Sequence, residues 1–273
     1  MKKIYSTLLL FVTTLLGAQA QNTPVSQMEK LDRGVVAVPV SNGSTSRLIS
    51  WRLLGTDPRS TRFDVLRNGT VIANDLKTSN FLDKGGNASS TYQVRVKVDG
   101  EVVETTTPVR PWTNVWMKLS LDRPAAGAAS GGTYSPNDCS VGDVDGDGEY
   151  EIFVKWDPST SQDNSKGGIT DNVYIDCYKL DGTKLWRIDL GRNIRAGAHY
   201  TQFQVYDYDG DGKAEMICKT APGSLDGTGV YVNQATDNAT IKAADNTKDW
   251  AAAGGGRING GHEYLTVFDG LTG

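Results

Sequence analysis

The chain has 273 residues, of which 38% are hydrophobic and 22% charged, and its formal net charge is −4. These values exclude an intrinsically disordered chain, and the acidic balance argues against nucleic-acid binding, which requires a basic surface. The length predicts two domains, and 31 glycines against only four methionines favour short strands and turns over helices.

The first 20 residues have the pattern of a secretory signal peptide. Lys2 and Lys3 precede an apolar run at 8–16, which is followed by small residues at 18 and 20. The run is about half the ~20 residues that a membrane-spanning helix needs. We therefore expect cleavage near Gln21, a secreted or periplasmic protein and no membrane span.

Residues 28–110 predict a series of short strands. Apolar and polar residues alternate at 49–53 and again at 92–98, and Asn68–Gly69 and Asp99–Gly100 are typical hairpin turns. Six or seven such strands predict a small sandwich of the fibronectin III or immunoglobulin kind. Nothing in this part predicts catalysis, so we expect it to serve in packing, positioning or carbohydrate contact.

The second part of the chain, from residue 111, contains an internal repeat. Residues 143–155 align with 207–219, and a strand-like segment follows each copy, at 173–178 and at 263–268. The second copy carries an insertion within 221–260. A repeated unit of strand, acidic turn and two further strands predicts blades of a β-propeller.

Each repeat opens on Asp-x-Asp-x-Asp-Gly with an acid four residues after the third aspartate. Alternate carboxylates on a glycine-rich turn supply the hard oxygen ligands that Ca²⁺ prefers. The twelfth position, Val154 or Cys218, lacks the glutamate of an EF-hand, so the pattern predicts calcium turns between strands. We expect these ions to clamp the blades; a metal at the substrate is the alternative.

Three cysteines, Cys139, Cys177 and Cys218, lie on strand-like segments of the second part. None is near a histidine in an arrangement typical of a nucleophile. We expect all three to be buried apolar residues, with one disulfide and a free thiol as the alternative.

The longer motifs resemble one known family. Residues 134–158, which include the first acidic turn and Lys155-Trp156-Asp157-Pro158, are similar to the rhamnogalacturonan lyases of polysaccharide lyase family 11, as are 180–191 and 193–203. The likeness extends from about Leu31 to Gly273. It implies an all-β protein: an N-terminal fibronectin-like sandwich followed by an eight-bladed, calcium-binding propeller with its substrate cleft over the centre.

The resemblance also implies ligand-binding residues. Asn137 and Asp157 match sugar-contacting positions; alternatively Asn137 holds the turn and Asp157 caps the segment at Pro158. Two calcium sites are implied, in which Lys213 would bind through its carbonyl. The first comprises Asp138, Asp143, Asp145, Asp147, Glu149 and Glu151, and the second comprises Asp207, Asp209, Asp211, Lys213 and Glu215.

The implied reaction is β-elimination at galacturonic acid in the rhamnogalacturonan I backbone of pectin. The sugar carboxylate must be neutralised, by calcium or by arginine, and a base must then remove the C5 proton. Several basic or phenolic side chains could form a positive pocket, or could simply pair with acids, and none is assigned as the base. They are Lys155, Lys219, Arg192, Arg195, His199 and Tyr200.

The length departs from the family pattern. Residues 111–273 suffice for two to three blades, whereas a closed propeller needs at least four. We therefore expect an N-terminal fragment of a longer lyase, a monomer, with the catalytic base beyond Gly273. The alternatives are a non-catalytic, calcium-stabilised propeller that binds carbohydrate or acts as an adhesin, and a structural remnant without activity.

Overall fold

The computed structural model describes residues 29–197 and 200–273, and within these ranges the chain forms four antiparallel sheets. The predicted signal peptide lies outside the described residues. Among the described residues, every helix is too short and too polar to cross a bilayer. The prediction of a nearly all-β protein is therefore confirmed.

The first seven strands form two of these sheets. One sheet has the order β1-β2-β5 and the other has the order β4-β3-β6-β7. The strands are β1 (Val36–Pro39), β2 (Arg47–Ser50), β3 (Arg62–Arg67), β4 (Thr70–Leu76), β5 (Asn80–Asp83), β6 (Tyr92–Val98) and β7 (Glu101–Thr105).

Side chains from both sheets share one hydrophobic core, to which Ile49 of β2 and Phe63, Val65 and Val94 of the second sheet contribute. Both predicted hairpins are confirmed: Asn68–Gly69 joins β3 to β4, and Asp99–Gly100 joins β6 to β7. All four of these turn residues have positive φ, which fits the tight turns that match strand twist.

The alternation predicted through residues 49–53 holds as far as Trp51 and is wrong at Leu53, because β2 ends at Ser50. Trp51 is buried, but Leu53 is 63% exposed. The chain leaves the sheet at Trp51, whose N–H donates to the Ser79 carbonyl at 3.0 Å. Outside the strand, the alternation of side chains no longer determines which of them face the core.

The other seven strands form the two later sheets, in the orders β11-β10-β9-β8 and β12-β13-β14. The inserted segment between β13 and β14 contains a 3₁₀ turn (Val232–Ala235) and two four-residue helices, α1 (Ala239–Lys242) and α2 (Trp250–Ala253). The strands are β8 (Tyr134–Gly142), β9 (Glu151–Pro158), β10 (Tyr174–Tyr178), β11 (Lys184–Asp189), β12 (Phe203–Tyr206), β13 (Glu215–Thr220) and β14 (Tyr264–Phe268).

The four-stranded later sheet is covered on both faces. Phe153 of β9 belongs to a core that is shared with Met216 of β13. Its neighbours Val154 and Trp156 point to the opposite face and into a second cluster, which Leu119 borders. Two buried faces explain why β9 has a nearly continuous apolar run.

The prediction that all three cysteines are buried is wrong for Cys139. Cys177 and Cys218 are buried and Cys139 is exposed, and none forms a disulfide. Cys139 lies on β8, the edge strand of its sheet, where the pairing with β9 shifts register between Pro136 and Cys139. Such a bulge changes the direction in which side chains point.

Asp171 connects the segment before β8 to the loop before β10, and it is only 1% exposed. Its carboxylate accepts hydrogen bonds from the N–H groups of Ala129 (2.9 Å), Ser130 (2.8 Å) and Gly132 (2.9 Å) and from the Thr160 hydroxyl (3.0 Å). Burial alone would raise the pKa of Asp171, but these hydrogen bonds hold the pKa below its ordinary value.

We expect Asp171→Asn to lower the free energy of unfolding by about 3 kcal/mol, because an amide N–H would face buried N–H donors. Denaturant unfolding measures the loss. The matched control is Asp181→Asn, since Asp181 is exposed and accepts from Thr183 N–H, a bond that an asparagine oxygen can also make. Equal stability of the two variants would contradict the prediction.

Because the pKa of Asp171 is lowered in the folded chain, its stabilising contribution is present above the unfolded pKa. It is lost as the pH falls through the folded value. The stability gap between wild type and Asp171→Asn should therefore close in acid.

Candidate metal-binding turns

Two turns with the same sequence pattern occupy equivalent places in the two later sheets. The first acidic turn, residues 143–151, joins β8 to β9, and the second acidic turn, residues 207–215, joins β12 to β13. The N–H of Ala214 donates to the carbonyl of Asp143 at 2.7 Å. The repeat in the sequence therefore brings the two turns into direct contact.

The leading aspartate of each turn is held by two glycine amides. Asp143 accepts from Gly146 N–H at 2.7 Å through Oδ1 and from Gly148 N–H at 2.9 Å through Oδ2. The second turn repeats these bonds at 2.6 and 3.0 Å. Gly146 and Gly148 have φ of +80° and +91°, which lets the backbone curl around the carboxylate.

The last acidic residue of each turn accepts a hydrogen bond from the backbone at the start of the turn. Glu151, only 2% exposed, accepts from Val144 N–H at 2.9 Å through Oε2. Glu215 accepts from Tyr208 N–H at 2.8 Å in the same way. The closing bond leaves the second oxygen of each glutamate available to a ligand.

Three carboxylates converge in each turn, with one oxygen from each residue within 4.8 Å of the other two. They are Asp143, Asp145 and Glu151 in the first turn and Asp207, Asp209 and Glu215 in the second. Each group consists of hard oxygen donors on a curled backbone, so these residues fit a hard divalent cation.

The electrostatics of the two turns favour a cation as well. Burial raises the pKa of Glu151, and repulsion from Asp145 and Asp147 raises it further. The pKa of Glu215 is raised by burial and by the neighbouring aspartates of its own turn. Bringing a positive charge into either turn relieves this cost.

The first turn already contains a positive side chain. The Lys179 ammonium bonds to Asp145 and lies 3.8 Å from an Asp147 oxygen and 3.9 Å from a Glu151 oxygen. In the sheet that contains the second turn, Asp269 takes the place of Lys179. Asp269 directly follows β14, which pairs with β13, just as Lys179 directly follows β10, which pairs with β9. Nothing in the spacing of the turn signals this contact, because Lys179 follows a different strand.

The other ligands implied by the resemblance lie outside these two groups. Asp138 is exposed and pairs with Lys155 at 2.5 Å. Asp147 accepts from the N–H of Glu149 at 2.8 Å, and Asp211 accepts from the N–H of Lys213 at 2.9 Å in the second turn.

The two implied sugar-contacting residues lie at the end of the β8–β9 pair that is remote from the first acidic turn. Asn137 is exposed in the bulge of β8. Asp157 is half-buried at the end of β9, opposite Ser135, and it accepts from the Ser161 hydroxyl at 2.6 Å. Both side chains therefore stand at the edge of the sheet where the loop before β10 begins.

The six basic or phenolic candidates do not form a single pocket. Lys155 is 1% exposed and bound to Asp138, and Arg192 pairs with Asp249 at 2.8 Å. His199 lies outside the described residues. The remaining three line one cavity of about 70 Å³: Arg195, Tyr200 and Lys219, together with Asn164, Asn193, Ile258 and Glu263.

The contact between the N-terminal segment and the first turn is not predictable from the sequence. The N–H of Asp32 and the Arg52 guanidinium both donate to the Gly148 carbonyl at 3.1 Å, and Arg52 lies 4.4 Å from the Tyr150 ring centre. Glu29 lies close enough to Asp143 and Asp207 for their charges to raise its pKa, although burial is the larger cause. These residues are too far apart in sequence for any motif to reveal them.

We expect a divalent metal ion to raise the melting temperature more at pH 7 than at pH 5. Raised pKa values mean that Glu151 and Glu215 hold protons more tightly in the metal-free folded chain, which loses stability as the pH rises through those values. Metal binding removes that loss and must displace fewer protons at pH 7. Melting curves with chelator and with added metal measure the difference.

The control is the double variant Glu151→Gln, Glu215→Gln, in which the pH dependence of the metal effect should shrink. An equal rise at both pH values in the wild type would contradict the prediction.

Comparison with known proteins identifies the family from two matches. Residues 116–273 match the model described as rhamnogalacturonan lyase family 11, C-terminal domain. Residues 26–112 match the model described as the rhamnogalacturonan I lyases beta-sheet domain.

Individual proteins that are similar to this chain are also rhamnogalacturonan lyases. The chain is 48% identical to rhamnogalacturonan endolyase YesW of Bacillus subtilis (strain 168), over all of this chain and 43% of YesW. The crystal structure of exotype rhamnogalacturonan lyase YesX matches 90% of this chain and 39% of its own, at 49% identity and a TM-score of 0.79.

A Bacillus licheniformis family 11 rhamnogalacturonan lyase matches with a TM-score of 0.78 and 48% identity, over 90% of this chain and 41% of its own. The chain thus spans about two fifths of the length of the relatives that it matches. The described fold, the paired acidic turns and both family matches show that the chain belongs to rhamnogalacturonan lyase family 11.

Proposed function

We propose that this chain is the N-terminal portion of a rhamnogalacturonan lyase, which cleaves the rhamnogalacturonan I backbone by β-elimination at galacturonic acid. The observation that carries the proposal is the family match over 116–273, the part that contains both acidic turns. YesW and YesX, named as an endolyase and an exolyase of rhamnogalacturonan, support it.

In such a reaction a base takes the proton from C5 of the galacturonate. The electrons form a double bond between C4 and C5, and the bond from C4 to the leaving oxygen breaks. The carbanion-like charge that develops must be stabilised through the sugar carboxylate. No base is assigned among the residues of this chain.

Within this reaction we assign sugar binding to Asn137 and Asp157. The exposed amide of Asn137 can donate to a sugar hydroxyl. Asp157 has one oxygen engaged by Ser161 and a second that can accept from a hydroxyl. Their place together at one end of the β8–β9 pair, where the loop before β10 begins, supports a role in binding and orienting the polysaccharide.

We further propose that the two acidic turns bind Ca²⁺. Asp143, Asp145 and Glu151 would hold the first ion, with Asp138, Asp147 and Glu149 completing its shell. In the second turn Asp207, Asp209 and Glu215 would be completed by Asp211 and the Lys213 carbonyl. Bound calcium would supply positive charge that fixes the turns and polarises nearby oxygens.

The same proposal includes the domain boundaries and the cellular location of the protein. We propose that 1–20 is a signal peptide, 28–110 a fibronectin III-like sandwich and 111–273 part of a β-propeller. The shared core of the first two sheets and the repeated sheets with acidic turns support this division. Secretion or a periplasmic location and a monomeric state complete the proposal.

The proposal of calcium binding predicts two independent sites, each of which a single substitution should abolish. Isothermal titration should find two bound ions in the wild type and one in either Asp145→Asn or Asp209→Asn, because each change removes a charged ligand from one turn. Asp226→Asn, in the inserted segment, is the control and should keep both ions. A stoichiometry that either turn variant leaves unchanged would contradict the assignment.

The lyase proposal is tested with the protein at the length that its host produces. Rhamnogalacturonan I should give unsaturated products with rising ultraviolet absorbance. Asn137→Ala and Asp157→Ala should each lower kcat/KM about tenfold or more, because each removes a hydrogen bond to the sugar.

Asn80→Ala, which alters an exposed asparagine on β5, is the matched control and should keep full activity. Polysaccharide binding without any gain of absorbance would contradict catalysis and would identify a binding protein instead.

A further inference from the structure

The cavity lined by Tyr200 and Lys219 has a buried arginine at its base. Arg195 is 5% exposed and lies in the segment between β11 and β12. Among the described residues it takes part in none of the ion pairs. A buried cation without a carboxylate partner is unusual, because removing a charge from water costs several kcal/mol unless other groups solvate it.

Backbone carbonyls solvate this guanidinium. Each of its five N–H donors reaches one carbonyl oxygen. The Gly256 carbonyl bonds to Nη1, and the others are those of Gln162 (3.4 Å), Asp163 (3.4 Å), Lys166 (2.9 Å) and Gly168 (3.0 Å). The arginine therefore joins its own segment to the loop before β10 and to the inserted segment.

The backbone is shaped to allow this convergence. Gly168 N–H donates to the Gly255 carbonyl at 2.9 Å, and a Cβ on Gly256 would stand 1.7 Å from the Gly168 oxygen. On its other side, Gln162 N–H donates to the Ala196 carbonyl at 3.1 Å. The three segments are thus pressed together around one side chain.

The same arrangement fixes the walls of the cavity. Asn164 N–H donates to the Tyr200 hydroxyl at 2.7 Å, so the loop that Arg195 holds also holds Tyr200. Lys219, 42% exposed, pairs with Glu263 at 2.8 Å and adds little net charge. Carbonyl dipoles do not cancel a full charge, so Arg195 contributes a positive potential at the cavity. The Asp163 carboxylate, 3.4 Å from the Tyr200 hydroxyl, and Glu263 contribute the opposing negative charges.

The volume of the cavity, about 70 Å³, is enough to hold a carboxylate group. We propose that Arg195 is a positioning residue that holds this cavity in shape, and that the cavity takes the carboxylate of an acidic sugar. The nature of the ligand rests on the proposed function, whereas the role of Arg195 in ordering the loops does not.

Lysine cannot replace this arginine. An ammonium has three donors at a single point, whereas the guanidinium spreads five over a plane. Arg195→Lys and Arg195→Gln therefore leave buried carbonyls without donors. The matched control is Arg192→Lys, three residues earlier, where a single exposed ion pair with Asp249 can be kept.

The first measurement is limited proteolysis of the protein at the length its host produces. We expect both Arg195 variants to be cut at least tenfold faster within 159–170 or 254–262, with Arg192→Lys cut at the wild-type rate. Wild-type protection in Arg195→Lys would overturn the positioning role.

The second measurement compares the affinity for rhamnogalacturonan I oligosaccharides with that for the same oligosaccharides after chemical reduction of their carboxyl groups to alcohols. The wild type should prefer the acidic form, and the Arg195 variants should lose at least tenfold of that preference. Lys219→Gln, an exposed change that leaves Arg195 in place, should lower the preference for the acidic form about threefold. This variant keeps the carboxylate site testable if the Arg195 variants do not fold.

The outcomes separate the two proposals. Lyase activity on rhamnogalacturonan I with an unchanged acid preference in the Arg195 and Lys219 variants would overturn the carboxylate site and leave the proposed function standing. A wild type that neither binds nor cleaves either oligosaccharide would overturn the function and the ligand, while proteolysis would still decide the role of Arg195.

Discussion

Repulsion among the carboxylates of the two acidic turns is the constraint on which the packing of the later sheets depends. Val144 of the first turn and Ala214 of the second belong to the same hydrophobic core, and the turns are joined by the bond between Ala214 and Asp143. The N-terminal segment binds the first turn through Gly148. A cation that relieves the repulsion therefore stabilises contacts between three parts of the chain at once.

The two turns meet this constraint differently. In the first, Lys179 brings a positive charge against Asp145, and this contact lowers the pKa of that carboxyl. The equivalent place in the second turn is held by Asp269, whose side chain accepts from Thr272 at 2.8 Å. Two turns that match in backbone bonds and in their converging acids thus differ in local charge.

Features encoded within a few neighbouring residues were predictable from the sequence. The hairpins at Asn68–Gly69 and Asp99–Gly100 depend on positive φ at adjacent positions. The acidic turns depend on aspartates and glycines at alternate positions of one short segment. In each case the residues that decide the geometry are also neighbours in sequence.

Features that depend on distant residues were not predictable. Lys179 reaches the first turn from the C-terminal end of β10, and Cys139 is exposed because its strand is at a sheet edge and bulges. Arg195 could be suspected of binding a sugar acid directly, but carbonyls from two other segments occupy all its donors. Composition and spacing do not specify which backbone groups will surround a side chain.

The loop between β9 and β10 shows how a stretch without regular secondary structure can be ordered. At its end the Asp171 carboxylate binds three amides of the segment before β8 and the Thr160 hydroxyl. Earlier in the loop, the carbonyls of Lys166 and Gly168 bind the Arg195 guanidinium. Buried backbone groups need partners whether or not a strand supplies them, and here two buried charges take the place of a neighbouring strand.

This way of ordering a loop has an electrostatic consequence. An ion pair would cancel the charges, whereas amide and carbonyl dipoles solvate them and leave their fields in place. The Asp171 carboxylate lies among amides of the segment before β8, and Arg195 lines the cavity. The same interactions that order the loop therefore also contribute to the charge that an incoming ligand meets.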